Sequence, residues 1–265
     1  MKTIAITGGV SGIGFALAKQ FANDGVNIAI ADIREDRLAG AVKTIEKLGV
    51  KAAGFVCDVS DPRSVEAFAE GAWKTFGSVD GVINNAGIGG PIGPVADIEL
   101  DDVRRLFNVN LMGVWHGCKI FGKRFIQQGT PAAIYNTGSE NSFFTAVPMS
   151  AAYVASKHAV LGLTEALRDE FPDFIKLGLI IPGWVRTEIG SEAQMAPAMD
   201  SDEFAAIIYK QMKAGEFFIV SHAYNIIPIT ERYEAVSKAY SNYAPRYEGD
   251  IQYNIRNILK RPSSL

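Results

Sequence analysis

Cysteine and histidine are scarce in this chain of 265 residues. Cys57 and Cys118 are too few for a disulfide framework, and they do not have the spacing of metal ligands. The three histidines, His116, His158 and His222, are too scattered along the chain to suggest a metal site. We therefore expect no disulfide and no metal centre, and we expect both thiols to lie reduced in the core.

Charge of one sign and long apolar runs are also missing. The 26 Lys and Arg residues nearly balance the 29 Asp and Glu residues, and the basic stripe that nucleic acid would need is not visible. No apolar run approaches the roughly 18 residues of a membrane-spanning helix, and the chain enters a strand directly after Met1 and Lys2 instead of forming a signal peptide. We expect a cytoplasmic protein that binds neither nucleic acid nor membrane.

The chain does contain a regular alternation of short apolar runs with segments of helical periodicity. No Gly/Ser linker, charge block or repeat divides it. The alternation predicts an α/β fold, a single Rossmann-type domain with a doubly wound parallel sheet of about seven strands and helices on both faces. The predicted strands lie near residues 2–7, 26–32, 51–57, 79–84, 132–137, 175–181 and 217–221.

The first predicted strand breaks into a glycine-rich loop that leads into a helix. Gly8 would allow a tight turn, Gly12 would let a pyrophosphate approach the backbone, and Gly14 would let the helix pack closely on the strand. Ser11 and Ile13 lie between these glycines, and the amides at the start of the helix would face the phosphate charge. Strand, glycines and helix in this order favour a dinucleotide site over an ordinary loop.

The second predicted strand ends in Asp32, about 20 residues beyond the glycines. A carboxylate at that place can accept hydrogen bonds from both hydroxyls of the adenosine ribose and would repel a 2′-phosphate, which predicts NAD as the cofactor in preference to NADP. Ile33 follows, and Arg34 could in principle counter the charge of Asp32. The alternative is that Asp32 only caps the helix after Ile33.

Tyr153 and Lys157 stand four residues apart, which in a helix puts the phenol and the ammonium on one face. A phenol with a pKa of about 10 is a poor base at neutral pH, but a fixed positive charge beside it favours the phenolate. The pair is therefore a candidate for acid/base chemistry. Taken alone, it also fits an ordinary solvated helix face, so the other motifs decide between the two interpretations.

Together these motifs resemble the classical short-chain dehydrogenase/reductase family from about Thr3 to about His222. The loop Thr7-Gly8-x-x-x-Gly12-Ile13-Gly14 is similar to the family's cofactor loop, and Tyr153-x-x-x-Lys157 is similar to its catalytic pair. The other matching motifs are Cys57-Asp58-Val59 for the turn that contacts adenine, Asn84-Asn85-Ala86-Gly87 for the central strand, Asn110 for the structural and catalytic asparagine, and Pro182-Gly183 with Thr187 for the segment that holds the nicotinamide carboxamide.

The resemblance implies hydride transfer between NAD(H) and a secondary alcohol or ketone, with Asn110, Ser139, Tyr153 and Lys157 as catalytic residues. It also implies a homodimer or homotetramer built on the long helices near 100–128 and 152–171. The residues that it implies for cofactor binding are Gly8, Ser11, Gly12, Ile13, Gly14, Asp32, Ile33, Asp58, Val59, Asn85, Ala86, Gly87, Tyr153, Lys157, Pro182, Gly183, Val185 and Thr187.

The position of the catalytic serine departs from the family pattern. An ungapped count back from the tyrosine puts Glu140 in its place. A count forward from the strand residue Asn136 puts Ser139 there, with one residue added in the loop that follows. We therefore predict Ser139, and Ser142 remains the weaker candidate.

The C-terminus departs from the family as well, because Phe217–His222 and a tyrosine-rich tail stand where the family commonly has an Asp-Gly-Gly segment. We expect residues 1–222 to form the dinucleotide-binding and catalytic domain. Residues 223–265 are predicted to be a tail packed on the same domain, either as an ordinary helix with a frayed end or as a pocket wall or subunit contact.

The loops that would flank the cleft predict an apolar substrate pocket closed by a lid over residues 188–203. The chemistry still leaves open an NAD-retaining epimerase or dehydratase and a non-catalytic dinucleotide sensor. The short region after Thr187 argues against the first, and intact Ser139, Tyr153 and Lys157 argue against the second. The predicted pocket residues are Phe143, Phe144, Val147, Met149, Trp184 and Met195.

Overall fold

A computed structural model of the chain describes residues 1–190 and 192–258. Residue 191 of the predicted lid and residues 259–265 of the predicted tail lie outside the described residues. The strands are β1 Thr3–Thr7, β2 Asn27–Asp32, β3 Ala52–Val56, β4 Gly81–Asn84, β5 Ala132–Thr137, β6 Ile175–Ile181 and β7 Phe218–Val220. The helices are α1 Gly12–Asn23, α2 Glu35–Glu46, α3 Pro62–Phe76, α4 Leu100–Phe107, α5 Gly113–Gln128, α6 Ala151–Glu170, α7 Glu192–Met195, α8 Ser201–Ala214, α9 Ile226–Tyr243 and α10 Ile255–Ile258.

The seven strands form one parallel sheet in the order β3-β2-β1-β4-β5-β6-β7, which confirms the predicted fold class. Each strand lies inside its predicted range, and no end differs from it by more than two residues. Every residue of the central strands β1, β4 and β5 is buried, whereas the edge strands β3 and β7 each contain two exposed residues and a single buried one. The apolar runs are therefore continuous because helices cover both faces of the sheet centre.

Opposite faces of the sheet receive different helices, and β3 shows this directly. Gly54 faces α2, since a Cβ built there would lie 3.2 Å from Leu38 and from Val42, while the next residue, Phe55, contacts Gly71 of α3. Because neighbouring residues of a strand point to opposite faces, α2 and α3 lie on opposite sides of the sheet. Helices α1, α2 and α8 share one apolar core with the sheet. On the α3 side, rings from α3 and α5 pack together.

The order of the strands reverses between β1 and β4, which are hydrogen-bonded neighbours although β2 and β3 intervene in sequence. In an open parallel sheet, ligands bind in the crevice beyond the carboxyl ends of the strands at such a reversal. The glycine loop follows β1, and the Asn84–Gly87 motif begins at the last residue of β4. Both motifs therefore reach the same edge of the sheet.

The helix predicted over residues 100–128 is present, and its hydrogen-bond pattern changes in the middle. A π-helical turn, Asn108–Met112, separates α4 from α5. The side chain of Asn110 is hydrogen-bonded to the backbone of Ile88 in both directions. A wide turn inside a helix accommodates an extra residue and is common at functional sites.

The chain divides into two compact units, Met1–His222 and Ala223–Leu265. In the second unit, no residue of α9 is buried. No helix in residues 1–190 and 192–258 combines the length and apolar character needed to cross a bilayer. The predicted lid begins as a loop and contains the short helix α7, but its last residues already belong to α8, which Asp200 caps through its carboxylate.

Candidate active site

The glycine loop has the backbone geometry of a dinucleotide-binding turn. Gly8 and Gly12 have φ angles of 63° and 52°, which disfavour any residue with a Cβ. A Cβ on Gly14 would lie 2.3 Å from the Gly8 carbonyl oxygen, so the helix start is packed directly on the turn. Ser11 occupies the N-cap position but makes no side-chain cap hydrogen bond. Ile13 lies in the first turn of α1 and is partly buried.

Asp32 lies at the end of β2 and is 5% exposed. Its carboxylate accepts hydrogen bonds from the backbone amides of Val10, at 3.4 Å, and Arg34, at 3.0 Å. The Arg34 side chain also contacts it, with Nε 3.3 Å from Oδ1. Ile33 lies between them with 64% of its surface exposed. The positive charge that the sequence allowed near Asp32 is therefore in contact with it.

Glu188 joins this group from the loop after β6, and no sequence motif pointed to it. Its Oε2 accepts from Nη1 of Arg34, and its Oε1 accepts from Nη1 of Arg37 at 2.6 Å. These hydrogen bonds, first from Arg37 and then from Arg34, lower the pKa of Glu188. Nη2 of Arg34 donates to the Ser11 hydroxyl at 2.6 Å. Arg34 therefore connects β2, the glycine loop and the loop after β6.

The turn after β3 is built on hydrogen bonds within the chain. The Asp58 carboxylate accepts from the amide and hydroxyl of Ser60, at 2.9 and 2.7 Å. Val59 is buried, and its side chain would lie 2.8 Å from a Cβ on Gly113, at the start of α5. This packing fixes the Asp58-Val59 turn at the carboxyl edge of the sheet, and Ser60 engages Oδ1 of Asp58.

Thr7 holds the Asn85-Ala86-Gly87 turn against the glycine loop. Its hydroxyl accepts from the amides of Asn85 and Ala86, at 2.9 and 3.1 Å. The Asn85 side chain donates to the carbonyls of Thr7 and Gly8. The two loops at the reversal of the strand order are thereby joined. Gly87 lies close to the Asn110 side chain, since a Cβ built on Gly87 would be 3.3 Å from the Asn110 amide group.

Asn110 is fully buried, and both of its amide atoms are used by Ile88: Oδ1 accepts from the Ile88 amide at 2.8 Å, and Nδ2 donates to the Ile88 carbonyl at 3.0 Å. The side chain thus fixes the loop after β4.

Ser139 and Ser142 have different partners. Ser139 forms a side-chain hydrogen bond with Tyr153 and accepts one from the backbone amide of Asn141 at 3.1 Å. The Ser142 hydroxyl donates to the backbone carbonyl of Lys157 at 2.8 Å and accepts from the Ser139 amide. Of the two candidates, Ser139 is the serine whose hydroxyl reaches the phenol, while Ser142 ties this turn to α6.

Glu140, the residue at the ungapped position, is buried beside the phenol. Its backbone amide donates to the carbonyl of Pro182 at 2.8 Å. Burial raises the pKa of Tyr153, the Ser139 hydrogen bond opposes this, and the Glu140 charge adds to it. The expectation that Lys157 makes Tyr153 a stronger acid is therefore wrong for the protein alone, because burial and the carboxylate outweigh any such effect.

Lys157 lies one turn after Tyr153 on α6 and is 5% exposed. Its Nζ lies 5.7 Å from the centroid of the Tyr153 ring and donates to the Thr137 carbonyl at 2.9 Å. Burial lowers the pKa of Lys157 to about 8. The i, i+4 pair therefore does not form a solvated face, since the ammonium points into the protein at the carboxyl end of β5.

The segment after β6 forms the other side of the cleft. Val185 is buried and pairs with Met199, which anchors the base of the predicted lid. Gly183 allows His222 to approach, since a Cβ there would lie 2.5 Å from that ring. Thr187 lies against Gly12, since a Cβ built on Gly12 would be 3.1 Å from the Thr187 side chain. A cavity of about 360 Å³ opens here, lined by Gly12, Arg186, Thr187, Glu188, Gly190, Glu192, Met195 and Ser201.

Apolar groups surround the approach to Tyr153. A Cβ on Gly90 would lie 3.5 Å from the Tyr153 Cβ and 3.0 Å from Leu106, and one on Gly89 would lie 3.2 Å from Ile189. Val147, Met149 and Trp184 are between 41% and 52% exposed, and Phe144 and Met195 are partly buried. Phe143 is different from the other predicted pocket residues, because it is buried and its ring packs edge-on against Phe218.

Metal chemistry has no support in the described part of the chain, where no group of His, Cys, Asp and Glu side chains could hold a metal ion. Cys57 and Cys118 are both buried and free, and burial raises the pKa of each thiol, to about 11 and about 12. The titratable side chains that converge at the sheet edge are instead Tyr153, Lys157, Glu140 and Asp32.

Comparison with known proteins gives consistent results. A sequence profile described as short chain dehydrogenase matches residues 2–198. The chain is 32% identical over 231 residues to 1-deoxy-11-beta-hydroxypentalenate dehydrogenase of Streptomyces avermitilis, covering 84% of this chain and 85% of that protein. It is 37% identical over 202 residues to 2,5-dichloro-2,5-cyclohexadiene-1,4-diol dehydrogenase of Sphingobium indicum, covering 76% and 77%.

A solved structure extends the likeness to nearly the whole fold. The crystal structure of a short chain dehydrogenase/reductase from Burkholderia phymatum in complex with NAD superposes with a TM-score of 0.84 and 29% identity. The match covers 93% of this chain and 98% of that chain.

Proposed function

The chain belongs to the short-chain dehydrogenase family and is an oxidoreductase, and on that basis we propose that it transfers a hydride between NAD(H) and a secondary alcohol or ketone on a compact, largely apolar substrate. The observation that carries the proposal is the meeting of Ser139, Tyr153 and Lys157 at the sheet edge that also holds the glycine loop. Ser139 follows β5, whereas Tyr153 and Lys157 both lie on α6, so the meeting of the serine with the pair depends on the folded chain.

The backbone and side chains at the glycine turn suit a dinucleotide. The glycine turn has positive φ at Gly8 and Gly12, and α1 begins without a side-chain cap or an acidic residue in its first turn. Such a helix start favours a phosphate group. Asp32 would hold the adenosine ribose, Thr187 and the Pro182-Gly183 segment the nicotinamide end, and Lys157 the second ribose. When bound, NAD supplies the hydride acceptor and a positive ring charge.

The protein's own groups would handle the proton. In ketone reduction, the Tyr153 hydroxyl donates its proton to the substrate oxygen, and its raised pKa keeps that proton available at neutral pH. In alcohol oxidation, the Tyr153 oxygen must first lose its proton, and the buried Lys157 ammonium then stabilises the negative charge of the phenolate. Ser139 donates a hydrogen bond to the substrate oxygen as its charge changes.

The preference for NAD can be tested at Asp32. We expect Asp32→Ala to weaken NAD binding and to narrow the difference between NAD and NADP, because it removes both the ribose contacts and the repulsion of a phosphate. Calorimetric titration of both dinucleotides measures this. Asp36→Ala, an exposed residue in the first turn of α2, removes the same charge and should leave both affinities nearly unchanged. Tighter binding of NADP than of NAD by the unaltered protein would contradict the preference.

The substrate class follows from the surroundings of Tyr153. The side chains of Leu106 and Ile189 contact the loop that borders the phenol, and the Met149 carbonyl accepts a hydrogen bond from Gly93 of the same loop. Arg186, which lines the cavity, donates to the carbonyl of Ala196 at 2.9 Å. A phosphate-linked or carrier-linked substrate would lack the charge-assisted hydrogen bonds that it needs. Alicyclic, terpenoid, steroid or aryl alcohols fit this composition, with oxidation as the expected direction.

A series of cyclic and aryl alcohols of increasing size tests this proposal. Each buried CH₂ should contribute roughly 0.8 kcal/mol, or about a fourfold gain in kcat/KM where it is felt in the transition state. We expect kcat/KM to rise with apolar size until the pocket is full. Polyols with the same number of carbons serve as the control series. If small polyols or sugar phosphates are the best substrates, the apolar pocket is wrong while the dehydrogenase proposal stands.

A further inference from the structure

We propose that Glu188 is a specificity-determining residue that helps the protein select NAD over NADP, by occupying the two guanidinium groups that would otherwise bind the 2′-phosphate. The inference rests on the proposed cofactor site, and it concerns the adenosine end of that site only. It assigns a role to a residue in the loop after β6, which is remote in sequence from both the glycine loop and Asp32.

The geometry engages both arginines with Glu188, through Nη1 of each guanidinium. Both carboxylate oxygens of Glu188 are used, Oε2 by Arg34 and Oε1 by Arg37. The remaining nitrogens of Arg34 are used as well, since Nε lies 3.3 Å from Asp32 and Nη2 donates to Ser11 at 2.6 Å. Each hydrogen-bonding nitrogen of the Arg34 guanidinium therefore has a partner within the protein.

The position of these arginines is the one that a 2′-phosphate would need. Arg34 contacts both the carboxylate predicted to hold the adenosine ribose and the loop predicted to hold the pyrophosphate. Arg37 lies one turn further along α2. Two guanidiniums around a phosphate form strong, charge-assisted hydrogen bonds. In this chain, however, Asp32 and Glu188 balance the two positive charges, so the group is neutral and attracts no further anion.

Removing the charge of Glu188 would leave Arg37 without this partner and Arg34 paired to Asp32 alone. The group would then carry a net positive charge beside the ribose. NADP has an additional phosphate at this place and NAD does not, so only the affinity for NADP should increase. Arg34 alone, which the sequence suggested as a counter-charge to Asp32, is therefore insufficient to favour NADP while Glu188 holds it.

The test is calorimetric titration of the unaltered protein and the Glu188→Gln variant with NAD, NADP and adenosine 2′,5′-bisphosphate, which carries the 2′-phosphate without nicotinamide. We expect the Kd for NADP and for the bisphosphate to fall roughly five- to tenfold in the variant, the size expected for one additional charge-assisted contact. The Kd for NAD should change by about twofold or less. Because these are affinities, the result does not depend on knowing the substrate.

Two controls separate a specific effect from a general change of charge. Glu35→Gln removes one negative charge from the exposed first turn of α2 and should not reproduce the gain. Adding Arg34→Met and Arg37→Met to Glu188→Gln should abolish it. An equal gain in Glu35→Gln, a gain that survives without the arginines, or no gain at all would overturn the inference. If the unaltered protein binds NAD in those cases, the proposed function still stands, whereas failure of the unaltered protein to bind either dinucleotide overturns the proposed function itself.

Discussion

Replacing Tyr153 by Phe should reduce kcat by a factor of roughly 10² to 10⁴, the range that a single general acid or base contributes. The phenol oxygen bonds Ser139, and the ring lies 5.7 Å from the Lys157 ammonium. Phe keeps the ring and its packing while it removes the hydroxyl that is proposed to exchange a proton with the substrate oxygen. Steady-state kinetics in both directions measure the loss, and fluorescence titration should show a Kd for NADH within about twofold of the unaltered protein.

A second tyrosine provides the matched control. Tyr209 lies on α8, where its hydroxyl donates to Asp24 at 3.0 Å and its ring packs edge-on against Phe21, and neither of these partners belongs to the candidate site. Tyr209→Phe should therefore keep kcat. If Tyr153→Phe retained more than a few per cent of kcat, another group would have to exchange the proton. Glu140 would be the next residue to test, because its carboxylate is buried close enough to affect the Tyr153 pKa.

The sheet and the placement of the motifs could be predicted because they depend on local patterns. A short apolar run bounded by turn residues fixes a strand, and parallel strands end at a common edge, so motifs that follow strand ends must meet there. This holds for Gly8 after β1 and for Asn84 at the end of β4. The count from Asn136 on β5 also led to Ser139, since a strand fixes residue spacing while a loop does not.

Other features depend on contacts between distant parts of the chain and have no local signal. The π-helical turn at Asn108–Met112 accompanies the bonding of Asn110 to Ile88, which lies on another loop. Glu188 meets Arg34 only after folding, because 154 residues separate them. Phe143 resembles a pocket residue in sequence, and only the position of Phe218 shows that it belongs to the core. Helical periodicity and motif spacing contain none of this information.

The electrostatics of the acid/base pair were the least predictable part of the site. The spacing of Tyr153 and Lys157 suggests that the ammonium favours the phenolate, yet burial raises the pKa of Tyr153 and lowers that of Lys157 to about 8. Burial penalises the charged form of both groups. The protein thus keeps Tyr153 protonated and Lys157 close to its titration point, and the charge of a bound cofactor would have to shift the balance toward the phenolate.

Lys157→Met should separate activity from stability. We expect turnover to fall by roughly 100-fold or more and NADH binding to weaken, because Lys157 is proposed to serve both the phenol and the ribose. Stability should change little. A pKa lowered from 10.5 to about 8 corresponds to a cost of roughly 3 kcal/mol for burying the ammonium, which Met removes. The Thr137 carbonyl then loses its hydrogen bond, at a cost of about 1–3 kcal/mol.

The difference in stability between Lys157→Met and the unaltered protein should depend on pH. Below pH 8, Lys157 is protonated in both the folded and the unfolded chain, so the full cost of burial is present in the unaltered protein. Between pH 8 and 10.5, the unfolded chain binds more protons at this residue, and the unaltered protein gains stability as the pH rises. The free energy of unfolding of Lys157→Met minus that of the unaltered protein should therefore be largest below pH 8 and should decrease above it. Urea denaturation of the cofactor-free proteins across this range measures the difference, with Lys213→Met as the exposed control. A difference that is independent of pH would show that burial of the ammonium is not what limits stability here.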